Sequence, residues 1–192
     1  MHRHLSVLAL VLALGGSLVL AQQRVPRINR GVEGFERQVR KGNRAGVEET
    51  IRSLQAAREA ADQMAELARN LHADCRRFSG REIEGADFLV VFKDKTSEMR
   101  RCLRPIEEVA FLDPKEDSGS PKFKPPDDRQ GLVEGCAELE QLSLQSQSRV
   151  RAFFGYGITV DQLQGPSLVD LTASIRQRLK GLPKSAERLA RK

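Results

Sequence analysis

Residues 47–78 read VEETIRSLQAAREAADQMAELARNLHADCRRF, and their spacing decides the fold class. Small and apolar side chains advance in steps of three and four through Val47, Ile51, Leu54, Ala57, Ala61, Met64, Ala68, Leu71, Cys75 and Phe78. That spacing puts them all on one face of an α-helix, which turns once every 3.6 residues. The helix would be about 33 residues long, roughly 50 Å at 1.5 Å rise per residue. Arg52, Arg58, Glu59, Glu66 and Arg69 wet its other sides, and the central alanines let a neighbouring helix approach closely. An amphipathic helix of this length needs a partner to cover its stripe. Gly80 is the expected stop.

Working outward, Ile28 to Lys41 carries a weaker pattern through Val32, Phe35 and Val39, with Asn29 as cap and Gly42 and Asn43 as break. It reads as a short first helix or an extension of the long one. Phe88, Phe92, Met99, Cys102, Ile106 and Val109 follow at helical spacing, with Lys95 as a charged intruder. Phe88 to Phe92 alone would also suit a short strand, but the lack of other strong strand candidates favours helix. Pro105 is expected to kink or restart this segment, with Glu107 and Glu108 suited to the positive end of the new helix. Leu132 to Phe154 is helical again, its face running through Leu132, Cys136, Leu139, Leu142, Ser146, Val150 and Phe153. In the last helix, Ser167 and Asp170 resemble a capping box ahead of Leu168, Leu171, Ile175 and Leu179, and Gly181 and Pro183 are expected to end it. Asp113 to Gln130 holds Pro114, Pro121, Pro125 and Pro126 with little to bury, so residues 113–130 read as a flexible surface loop.

These segments imply an all-α fold, most simply an antiparallel bundle of four or five helices with one long central helix. The alternative is an elongated hairpin that completes its core only in an assembly. At the start of the chain, Met1 to Ala21 has the layout of a secretory signal peptide. His2, Arg3 and His4 precede an apolar run from Leu5 to Leu14, then Gly15, Gly16 and Ser17, with Val19 and Ala21 as the small residues before cleavage at Gln22. Leu5 to Leu14 is too short to cross a hydrocarbon core of about 30 Å, which disfavours an uncleaved anchor. Residues 22–192 are then one helical domain, expected to be exported to a periplasm or secreted.

The chain has 32 Lys and Arg against 26 Asp and Glu, a net charge of +6, which is a mild bias and no nucleic-acid signature by itself. Basic residues concentrate at the ends: Arg24, Arg27 and Arg30 near the start, and Arg176, Arg178, Lys180, Arg188, Arg191 and Lys192 near the finish. If the ends meet, they make a candidate anion-binding face; as separate helix ends they are ordinary solvated cations. Few aromatics interleave with them, and together with the export signal this disfavours nucleic acid. Phe153, Phe154 and Tyr156 form a candidate contact patch beside the stop at Gly155 and Gly157.

Cys75, Cys102 and Cys136 each fall on the apolar face of their segment. Cys102 and Cys136 flank the linker at comparable distances, so facing antiparallel helices would bring them level as a candidate disulfide. Cys75 is then a buried thiol, or itself the partner of one of them; three buried thiols acting as small hydrophobes is the third reading. His72, the only histidine after residue 21, leaves no credible nucleophile and base pair, and no Gly-rich phosphate cradle follows a strand. His72 and Cys75 lie three apart but match no established zinc spacing, and haem held by His72 with Met64 or Met99 is a remote alternative. No cofactor and no small-molecule substrate is expected. The sequence therefore points to a non-enzymatic protein that works by contact with a protein partner or with itself in an envelope or secreted assembly. Binding of anionic lipid or another polyanion through the basic termini is the alternative.

Overall fold

A computed structural model describes residues 44–110, 122–153 and 166–192. They form four helices, α1 (Arg44–Ser79), α2 (Gly85–Ala110), α3 (Arg129–Ala152) and α4 (Leu168–Ala190), packed on one another with no strand among the described residues. Phe88 to Phe92 is helical, and the expected helix over 28–41 lies outside the described residues.

The packed neighbours are α1 with α2, α1 with α3, α2 with α4, and α3 with α4. Every pair is antiparallel. On α1 and α3, Cys75 meets Cys136 and His72 meets Glu140 towards one end, while Asp62 meets Arg151 towards the other. On α2 and α4, Lys93 pairs with Glu187 and Glu107 with Arg176; on α3 and α4, Glu138 pairs with Arg178 and Arg149 donates to the Pro166 carbonyl. The helices thus sit at the corners of a square, with α2 and α3 parallel across its diagonal. α2 and α3 end at the same end of the bundle.

The stripe from Ala57 to Phe78 is buried as expected, with Ala60 and Ala65 added to it. Phe88, Phe92, Met99 and Ile106 of α2, Leu132 and Leu139 of α3, and Leu171, Ile175, Leu179 and Leu182 of α4 complete the interior. Where α1 turns into α2, Phe78 and Phe88 stack with centroids 4.1 Å apart and planes 2° apart, and Phe92 tilts against Phe88 at 5.3 Å. Arg129 lies over the Phe78 ring, 4.2 Å from its centroid, and donates to the Phe78 carbonyl at 2.8 Å. Lys95, the intruder of the second apolar face, is satisfied by Asp74 of α1.

Several ends differ from expectation. α1 stops in a Schellman arrangement in which Arg81 N donates to Phe78 O and Glu82 N to Arg77 O. Its left-handed residue is Arg81, at φ 63°, and not Gly80. Pro105 lies inside a continuous α2. α4 begins at the expected Ser167 cap, whose hydroxyl accepts from Asp170 N, but runs through Gly181 and Pro183 to Ala190. Pro183 has no N–H to offer the Leu179 carbonyl four residues back, and Arg100 of α2 takes that acceptor instead at 2.7 Å. Gly181 leaves room for Phe123, whose ring would lie 2.6 Å from a Cβ there.

Of the stretch 113–130 read as a flexible surface loop, residues 113–121 lie outside the described residues. In its described part, Phe123 packs on the core and lies beneath the Arg178 guanidinium, Arg188 donates to the Pro126 carbonyl, and helix begins at Arg129.

Candidate functional site

α1 has 36 residues, about 54 Å of helix, against 23–26 in the other three. In antiparallel register, α2 ends opposite the region of α1 near Leu54, and α3, whose Arg151 pairs with Asp62, ends near Ala61. The turns of α1 before Leu54 therefore run past the described ends of both neighbours. No residue between 45 and 56 is buried, although Val47, Ile51 and Leu54 continue the stripe that becomes core at Ala57. Ile51 is 38% exposed. Glu48, Glu49 and Arg52 are exposed around it, so this is a narrow apolar line on a charged helix. Among the described residues, no helix is long and apolar enough to cross a membrane.

A second cluster lies on the seam of α1 and α3. His72 Nδ1 and Glu140 Oε2 are 2.6 Å apart, and one turn deeper the sulfurs of Cys75 and Cys136 are in direct contact at 2.6 Å. Both cysteines are fully buried. Burial, reinforced by the neighbouring Cys136, holds the Cys75 thiol far above the ordinary cysteine range. His72 and Glu140 spend their facing atoms on each other, and among the described residues no group of three or more His, Cys, Asp or Glu side chains is placed to hold a metal ion.

The pairing expected of Cys102 and Cys136 is not what the bundle provides. They sit on diagonal, parallel helices. Cys102 shares a groove with Ala60 and Gln63 of α1, whereas Cys136 reaches Cys75, so the two stand roughly 20 Å apart along the bundle axis at 1.5 Å per residue. Register across a square of helices is set by which corners the loops join, and equal distance from a linker fixes it only for adjacent antiparallel helices.

Three arginines of the basic C-terminal helix face acidic partners. Arg176 pairs with Glu107, Arg178 with Glu138 at 3.0 Å, and Arg188 with Asp127 at 2.8 Å. Lys93 donates to Glu187 and holds its carboxyl below the usual carboxylate range. Lys180, Arg191 and Lys192 are exposed, while Arg24, Arg27 and Arg30 lie outside the described residues. Phe153 is half-buried against the core; Phe154 and Tyr156 are outside the described residues.

The sequence offered Cys75 as a possible partner of Cys136 without deciding for it, whereas the partners of Arg100 and Arg129 had no signal, because each depends on a residue of another helix more than 40 positions away. No family model, curated protein or solved structure matches this chain.

Proposed function

We propose that this chain is an exported, non-enzymatic helical-bundle protein that acts by protein contact within an envelope or secreted assembly, and that the overhanging start of α1 is its contact surface. One observation carries the reading: the apolar stripe continues past Ala57 through Leu54, Ile51 and Val47, where Leu54 is only partly buried against the core and Ile51 is exposed. Val47 and Ile51 add little to the buried core, and apolar residues at this spacing are the anchors by which one helix packs on another. Export rests on the leader pattern of Met1 to Ala21, which lies outside the described residues. The anionic-surface alternative draws less support, because Arg176, Arg178 and Arg188 already face carboxylates of the same chain.

The test is a photoreactive residue replacing Ile51 in the cells that make the protein, with one replacing Arg104, an exposed residue of α2, as control. A discrete protein adduct from position 51 alone, persisting at high ionic strength, is expected. A chain that stays uncrosslinked at 51 overturns the contact surface, and an association abolished by salt transfers the function to the basic residues.

A further inference from the structure

We propose that Cys75 and Cys136 are joined by a disulfide that staples α1 to α3, leaving Cys102 as the chain's free thiol. The two sulfurs meet from different helices, 61 residues apart in the chain, with no other side chain between them. Cys102 is buried too, but it faces the groove between α1 and α2 with Ala56, Glu59 and Pro105, and no second cysteine reaches it.

Two thiols in contact have three chemical outcomes: they stay reduced, they share a metal, or they are oxidised to a disulfide. A metal needs further ligands, and the nearest candidates, His72 and Glu140, are engaged with each other. Oxidation needs an acceptor of two electrons, which a small-molecule disulfide such as oxidised glutathione supplies. One cysteine thiolate attacks it, forming a mixed disulfide and releasing one glutathione thiol; the second cysteine then attacks the protein sulfur and releases the other. Two cysteine protons leave, one S–S bond forms, and one S–S bond of the acceptor is broken. Because both cysteines are fully buried in the finished bundle, this exchange belongs to the stage before α1 and α3 close, and the bond is then shielded from reductants. An exported chain meets oxidising conditions at that stage, so the staple is in keeping with the proposed export. Its chemistry is nevertheless tested independently of any leader.

The full chain is denatured, reduced, and refolded either in a glutathione redox buffer or in excess dithiothreitol. Each product is unfolded in the presence of iodoacetamide and mapped by mass spectrometry. In the oxidised product a Cys75–Cys136 linked peptide and an alkylated Cys102 are expected. Three alkylated cysteines, or a linkage containing Cys102, would overturn the proposal. A loop of 61 residues closed by the bond should raise the melting midpoint of the oxidised product by on the order of 10 °C over the reduced one. The Cys102→Ala variant should keep that difference, and the Cys75→Ala/Cys136→Ala variant should lose it. Equal midpoints for oxidised and reduced wild type would remove the stapling role.

Discussion

The last turns of α1 and its first turns continue one periodic stripe, yet they live in opposite surroundings. At the Phe78 end, the helix is held by the stack on Phe88, by Arg129 over the ring and on the carbonyl, and by a Schellman turn into α2. At the Val47 end, Val47 and Ile51 lie past the described ends of both neighbours, and Ile51 is exposed. Periodicity therefore states which face of a helix is apolar, but not how far along that face the protein itself supplies the cover. Where the cover stops, the stripe changes from a stability element to a candidate surface.

The comparison is most easily broken at Phe78. Its truncation to alanine removes a fully buried ring, the stack on Phe88 and the platform of Arg129, and should cost about 3–5 kcal/mol. Ile51→Ala, in the same stripe, should cost less than about 1 kcal/mol. Urea unfolding of the two variants measures both; similar losses would mean that the first turns of α1 are as much a part of the folded core as the last.

A smaller effect is expected where α2 meets α4. Arg100→Ala leaves the Leu179 carbonyl without the donor that replaces the one Pro183 lacks, and should cost about 1–3 kcal/mol. In a Pro183→Ala background the new N–H at 183 can take over that carbonyl within the helix, so Arg100→Ala should then cost clearly less. An unchanged cost in the double-mutant cycle would show that Arg100 acts through something other than this acceptor.

The smallest effect should be a gain. Arg81 occupies a left-handed conformation at φ 63°, which glycine adopts without the Cβ clash, so Arg81→Gly should raise stability by about 0.5–1 kcal/mol. Arg81→Ala keeps the Cβ and should not. Thermal melts of both variants separate backbone relief from loss of the arginine side chain.

Much of the fold was legible in the residues. The burial of Ala57 to Phe78, the helical state of Phe88 to Phe92, and the Ser167 cap all follow from local rules. Helix ends were less legible. Pro183 reads as a terminator because it removes a hydrogen bond, and only the Arg100 guanidinium arriving from another helix lets α4 continue. Likewise, Phe123 among prolines reads as a stray apolar residue until Gly181 opens a place for its ring. The candidate site was divided in the same way: Val47, Ile51 and Leu54 were visible as an apolar line, but the exposure of Ile51 was not.

By itself, the sequence determined that the protein is helical, which residues line each apolar face, and that its cysteines belong to those faces. These follow from the 3.6-residue turn, a property of neighbours along the chain. The tertiary structure alone decided that α3 lies beside α1 and diagonal to α2, that Cys136 meets Cys75 and not Cys102, and that Arg176, Arg178 and Arg188 face carboxylates. The physical reason is that helix register and partner choice minimise the free energy of the whole packed set, in which each contact depends on residues far away in the chain.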